Sequence, residues 1–440
     1  MSGEAPPKTA SRRVATFWLP RVRGGTVGGM KGSLRILLAL LLVASVAAVA
    51  SGCASEGAAE ASGGSSAAGS AAGGSEAEAT GVESPVAESP IDLTSPGASA
   101  SPSPSAPSEV ASWSDRRLAA QLVVCSVPAT NPLAGKKYSR MGIGGIVILG
   151  GGARSTIGRD LATVLKAAPR GVRPFIASDE EGGQVQRLRD VIYPLPSARV
   201  QGSWSTSKTR AAARDYGARL RKLNVSAVFG PVADLDIAGR YMSSLDRCFS
   251  RRPDAVGRHV VAWVRGLRAA RVLATVKHWP GHGWATDTHS GAARVPSLSV
   301  LRREDMVPFE QAFAADVPLV MVGHLRSKGL TGDETPASLS RQALTFLRSR
   351  AGDETVIITD SLSMAATTKA VGLKLPAASV RSLKAGADLA LFASGDPRPV
   401  VDAVATAIKT GRLPRAEAEA KVLRVLALKR RAGLAPVYQP

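Results

Sequence analysis

Residues 272–289 read V-L-A-T-V-K-H-W-P-G-H-G-W-A-T-D-T-H. The first five are apolar and rich in β-formers, the pattern of a short buried strand. Pro280, Gly281 and Gly283 then break any regular element, so the strand is expected to open at Lys277 into a loop. That loop holds three of the chain's five histidines, His278, His282 and His289, with Asp287 two places before the last. A rigid strand that feeds a polar loop is a common carrier of chemistry.

Apolar runs of the same kind stand at 121–125, 145–149, 174–177, 225–229, 318–322, 355–358 and 388–392. Longer amphipathic stretches separate them, among them 209–223, 254–270, 300–315 and 379–385, and two more at 399–409 and 415–431 close the chain. Eight strand–helix units in about 320 residues predict an α/β fold, a (β/α)8 TIM-type barrel; an open doubly wound sheet is the alternative. In a barrel the reactive groups gather where strands end. Here the third run leads into Asp179, Glu180 and Glu181, the fourth into a loop with Asp234, Asp236, Asp246 and Arg247, the fifth into Lys277 and His278, the sixth into His324, and the seventh into Asp360. A random solvated surface would not sort polar groups this way.

The remaining composition divides the chain. Residues 1–52 read as a signal region: basic M-K-G-S-L-R from Met30, an apolar run over 36–50 too short to span a bilayer comfortably, then small residues before Cys53. Met30 makes a better start than Met1, and no apolar run closely follows Arg12-Arg13 to make a twin-arginine signal. The stretch resembles a bacterial lipoprotein signal, which implies lipidation of Cys53, a membrane anchor and an exported, envelope location; an ordinary secretory signal cut near Ala50 is the alternative. Residues 53–110 are, after Cys53, almost entirely Ala, Gly, Ser, Glu and Pro, too poor in apolar surface to fold, and read as a disordered tether. The globular part, 111–435, then carries 49 basic against 26 acidic residues. No aromatic-interleaved basic motif points to nucleic acid, so anionic wall polymers or lipid headgroups suit such a surface better; an Arg-rich genome and an ordinary solvated surface are the plainer alternative. Cys125 and Cys248 read as buried thiols and not as a disulfide framework.

Asp360 could cap a helix or act as a nucleophile at an anomeric carbon. Asp287 and His289 suit an acid/base pair, the carboxylate holding the imidazole. Asp179, Arg187, Arg247, Lys277 and His278, with His324, suit binding of a ligand rich in hydroxyls; structural ion pairs are the plainer alternative for Arg187 and Lys277. One of Glu180 and Glu181 is expected to order the Gly182-Gly183 turn. A metal site built from His278, His282, Asp287 and His289 is the rival, although the Pro280-Gly281 break spoils a helical ligand face. His259 reads as structural.

These residues carry a resemblance. K-H-W-P-G-H-G…D-T-H is similar to the K-H-F-P-G-H-G…D-S-H signature of the bacterial β-N-acetylglucosaminidases of glycoside hydrolase family 3. A-S-D-E-E-G-G-Q-V-Q-R-L, L-D-R-C-F-S and V-I-I-T-D-S-L-S-M match further motifs of that family in order, and G-A-D-L-A-L-F and V-L-A-L-K-R-R-A-G-L match its tail. The likeness covers about 113–434. It implies a retaining exo-β-N-acetylglucosaminidase acting on peptidoglycan fragments as a monomer without metal or organic cofactor. Asp360 stands at the nucleophile's position, His289 at that of the acid/base, Asp287 at that of its assistant, and Asp179, Arg187, Arg247, Lys277 and His278 at ring-binding positions. There are departures: a Gly283-to-Asp287 loop one residue short, Trp284 within it, Ser361 for a second Asp, and Cys248 for Ser. A β-glucosidase-like hexosidase, or a glycan-binding lipoprotein without turnover, are the alternatives.

Overall fold

The computed structural model describes residues 109–332 and 334–435. The signal region, Cys53 and all but the end of the tether lie outside the described residues. Among those described, no helix is long and apolar enough to cross a membrane.

The eight apolar runs all become strands: β1 (Val123–Pro128), β2 (Gly145–Leu149), β3 (Phe175–Ser178), β4 (Ala227–Val228), β5 (Leu273–Trp279), β6 (Leu319–Val322), β7 (Val356–Thr359) and β8 (Ala390–Leu391). They pair in parallel, each with its neighbours in sequence, and β8 returns to β1 through Val123↔Ala390 and Val124↔Leu391. A bridge from Ile358 to Leu389 joins β7 to β8 and closes the barrel. Parallel strands covered on both faces need apolar residues at successive positions, which is why they were visible as continuous runs. Alternate residues divide between two cores. Val124, Val147, Phe175, Ala177, Met321, Ile358 and Leu391 pack together inside the barrel. Cys125, Ile146, Ile176, Val320, Ile357 and Ala390 pack outward against the helices.

The helical layer includes α1 (Asp115–Gln121), α2 (Ile157–Lys166), α3 (Thr206–Lys222), α4 (Pro253–Ala269), α5 (Leu298–Arg303), α6 (Val307–Ala314), α7 (Arg341–Ala351), α8 (Leu375–Ala385), α9 (Pro397–Lys409) and α10 (Arg415–Arg431). The stretch 300–315 was expected as one helix but is two. Pro308, in the first turn of α6, has no N–H to give a preceding turn and is well suited to start a helix, so the chain breaks at Glu304 and Asp305. The fifth strand was expected to end at Val276 yet runs on to Trp279, so Lys277 and His278 belong to the strand and not to the loop. Trp279 pairs with Val322 after a register shift between Val276 and Trp279. A bulge there lets consecutive side chains depart from strict alternation. His259 is structural as expected, bonded to Thr209 and stacked on Phe249. Cys125 and Cys248 are buried free thiols.

The N-terminal mouth of the barrel is shut by α10, whose Val425 and Leu428 join the interior core. Two polar devices sit there. Asp388, fully buried, is clamped by Arg348 and Arg424. Lys429, also fully buried, donates to Gln121 Oε1 at 2.7 Å, and burial pulls its ammonium down to about 7. An unfolded chain keeps this lysine protonated up to about 10.4, so the folded state gains stability as pH rises between those values. Lys429→Met should therefore raise the unfolding temperature at pH 7, by about 1 kcal/mol of stability after the loss of the Gln121 bond. Thermal melts across pH 7 to 10 should show this advantage narrowing; a gap that widens with pH would contradict the assignment.

Candidate active site

A cavity of about 420 Å³ opens where the strands end. Val147, Phe229, Met321 and Leu391, from the top of the barrel's interior core, form its apolar floor. The volume falls in the range of small-ligand sites.

Its polar wall begins at β3. The chain leaves Ser178 into Asp179 and a small hairpin, Glu180–Gly182 against Val185–Gln186. Glu180 accepts from Ser178 Oγ and Tyr216 Oη, both at 2.6 Å, and from the Leu188 N–H at 3.2 Å, so it ties both ends of the hairpin together. Burial pushes its carboxyl up to about 7. Glu181 does something else. Its two oxygens meet Arg247 at 2.7 and 2.9 Å, and Oε1 meets Lys277 Nζ at 2.6 Å. Burial opposes its charge, but Arg247 and Lys277 outweigh that and hold it well below the usual carboxylate range. Lys277 also reaches Asp179 at 2.9 Å, and Arg187 reaches Asp179 at 3.3 Å. Arg187 and Lys277 are thus both ion-paired and cavity-lining, which merges the two readings the sequence allowed.

The loop after β4 supplies Asp234, fully buried. It accepts from the His278 N–H at 3.1 Å, the His282 N–H at 2.7 Å and His278 Nδ1 at 2.8 Å. This carboxylate fixes the orientation of the His278 ring through Nδ1. Asp236 and Asp246 of the same loop pair with Arg199 instead.

The loop after β5 is held from two sides. Gly281 has φ +127°, and a Cβ there would lie 2.6 Å from Asp305 Cβ; a Cβ at Gly283 would lie 2.5 Å from the Leu235 carbonyl oxygen. His282 is buried and its Nδ1 meets no protein partner, while burial pulls it down to about 4. Asp305, at the break between α5 and α6, is buried with neither oxygen at hydrogen-bond geometry, and burial pushes it up to about 7. Beyond Trp284 the loop rises to Asp287, whose Oδ1 accepts from the His289 N–H at 2.9 Å and meets Nδ1 of the same residue at 2.6 Å. His289 lines the cavity with its side chain 64% exposed; Asp287 stands behind it and does not. Burial opposes the charge on Asp287, and its two bonds to His289 bring it below its ordinary value.

Asp360, at the tip of β7, lines the same cavity. Burial alone would raise its pKa, but His278, His324, the Ser361 N–H and Lys277 together bring it down to about 2. It caps no helix: the next turn, Ala365–Thr368, begins after Met364. His324, like Asp287, is an expected site residue outside the cavity wall. Its Nδ1 meets Ser338 Oγ at 2.7 Å and its Nε2 donates to the Ser361 carbonyl at 2.9 Å, so both ring nitrogens are used in holding the backbone beside Asp360. Asp179, Arg187, Arg247, Lys277, His278, His289 and Asp360 are brought together. Sequence reasoning missed Glu181 and Asp234 as organisers, to which only their places after strand ends pointed, and Tyr241 as a lining residue, to which no sequence signal pointed. Among the described residues no group of three or more His, Cys, Asp or Glu is placed to hold a metal ion.

Comparisons with known proteins agree with this architecture. The N-terminal domain of glycosyl hydrolase family 3 matches residues 117–428. The β-hexosaminidase LpqI of Mycobacterium tuberculosis is 39% identical over 264 residues, covering 58% of this chain and 67% of the relative. A glycosyl hydrolase of the same family from Mycobacterium smegmatis superposes with a TM-score of 0.67 at 33% identity, over 73% of this chain and 98% of that one. A β-N-acetylglucosaminidase of the family from Paenibacillus gives a TM-score of 0.67 at 28% identity, over 74% of this chain and 64% of that one.

The Glu181 bridge makes a sharp prediction. Glu181→Gln leaves two buried cations short of a counter-charge and should cost about 3–5 kcal/mol in chemical denaturation. A loss below about 1 kcal/mol would mean that the three groups are solvated and only loosely associated.

Proposed function

The chain belongs to glycosyl hydrolase family 3 and is a glycoside hydrolase of the β-hexosaminidase type, and on that premise we propose that it is a retaining exo-β-N-acetylglucosaminidase that acts on peptidoglycan fragments. The observation that carries this reading is the placement of Asp360 and His289 on the wall of one sugar-sized cavity, with Asp287 behind the imidazole.

In the proposed reaction a terminal N-acetylglucosamine ring sits on the apolar floor, its hydroxyls bonded by Asp179, Arg187, Arg247, Lys277 and His278. Asp360, ionised at any ordinary pH because its pKa lies at about 2, attacks the anomeric carbon. His289 gives its Nε2 proton to the departing glycosidic oxygen, and Asp287 at Nδ1 steadies the imidazolium before transfer. The bond to the leaving sugar breaks as the bond to the Asp360 carboxylate forms. His289 then takes a proton from water, which attacks the same carbon and frees Asp360, so two inversions leave the configuration unchanged. His324 holds the Ser361 carbonyl, and through it the backbone that carries the nucleophile. The same reading includes lipidation of Cys53, an exported envelope location, and a tether that sets the barrel off the membrane.

An aryl β-N-acetylglucosaminide tests the proposal. Steady release of the aryl group, falling by roughly 1,000-fold or more in Asp360→Asn with the fold intact, is expected. The matching aryl glucoside should turn over much more slowly. Tight sugar binding with no release would make the protein a glycan binder, and release unaffected by Asp360→Asn would remove the assigned nucleophile.

A further inference from the structure

A second concave surface lies away from the sugar-sized cavity. It is a groove of about 930 Å³ bordered by α7, α8 and α9 and by the segment leading into α7. Four cations line it, Arg341, Arg381, Lys384 and Arg412, and among the described residues no carboxylate does. The contrast with neighbouring positions is sharp. On α7 itself, Arg348 is paired with Asp388 and Arg350 with Glu310.

The arginines of the groove are held in another way. Arg341 donates to the Lys384 carbonyl at 2.5 Å, Arg381 to Thr335 Oγ1 at 3.0 Å, and Arg412 Nε to Thr410 Oγ1 at 3.2 Å. A neutral acceptor fixes a guanidinium without cancelling its charge. Each therefore keeps its charge and has donors left over, around a groove that no carboxylate lines among the described residues. Like charges converging this way disfavour the folded chain by itself and favour an anion that spans them.

We propose that this groove binds an anionic polymer carrying phosphate groups along a flexible chain. Four cations around one groove match charges strung at intervals, and the guanidinium fork matches phosphate oxygens. A flat bilayer surface cannot follow a concave groove. No aromatic side chain lines it, so the bases of a single-stranded nucleic acid would have nothing to stack on. The proposal goes beyond the glycosidase reading and does not depend on it. Bound to such a polymer, the barrel would be retained wherever that polymer is dense.

Calorimetric titration of the full chain with inorganic polyphosphate tests it. The variant Arg341→Gln/Arg381→Gln/Lys384→Gln/Arg412→Gln is compared with Arg159→Gln/Lys166→Gln/Arg170→Gln/Arg173→Gln, which removes the same charge from four exposed positions outside the groove. The groove variant should bind at least about tenfold more weakly, the control within about twofold of the parent, since local phosphate contacts and not net charge set affinity. If the fourfold variant melts early, Arg381→Gln/Arg412→Gln should still show a clear loss with an unchanged melt. Equal weakening in both variants would reduce the effect to diffuse charge. Binding of phosphatidylglycerol vesicles or of single-stranded DNA in preference to polyphosphate would overturn the choice of ligand.

Discussion

One buried carboxylate holds the site in place. Glu181 comes from the hairpin that follows β3, Arg247 from the loop after β4 and Lys277 from β5, and the two cations lie 66 and 96 residues further along the chain. The three side chains are 2%, 12% and 3% exposed. Removing such charges from water costs several kcal/mol each, recovered only when geometry is good and partners are complete. Here completeness comes from Asp179, which takes the second contact of Lys277 and also meets Arg187. The result is a wall in which every cation has a fixed direction before any ligand arrives, the kind of preorganisation that spares binding energy for the reacting centre.

The two ends of the barrel use buried charge differently. At the closed mouth, Asp388 sits between Arg348 and Arg424, and Lys429 leans on Gln121; no cavity-lining group is involved. At the open mouth, the corresponding groups line the cavity. The same strands run between them, so packing at the base and geometry at the rim are linked through stiff parallel β-structure and not through loops.

Most of the fold could be read in the amino-acid sequence because a strand buried on both faces writes itself as a continuous apolar run. Where polar groups interrupt that run the signal fails: Lys277 and His278 look like a loop although the backbone keeps pairing through Trp279. The break at Asp305 is hidden because helical periodicity continues across it, and only Pro308 marks it. The site was legible as positions, since charged residues at strand tips are conspicuous. Its wiring was not. That Glu181 and not Glu180 would take both cations, or that Asp234 would hold two histidines by three contacts, depends on pairings across tens of residues that no local pattern encodes. His324 shows the limit of the strand-tip rule, for its ring turns into the wall and spends both nitrogens there.

The β5 loop also sets how far the protein could be redesigned. Gly281 is wedged against Asp305 and Gly283 against the Leu235 carbonyl, with His282 buried between them and anchored to Asp234. Ala285 and Thr288 are buried as well. Only Trp284, Thr286 and Asp287 are left with side chains that reach solvent before His289. An engineer wishing to lengthen the arm that carries the His289 imidazole must insert residues between 284 and 287 and leave the footing alone. The same confinement means that natural drift can vary the exposed part of this loop without disturbing the polar wall beneath it.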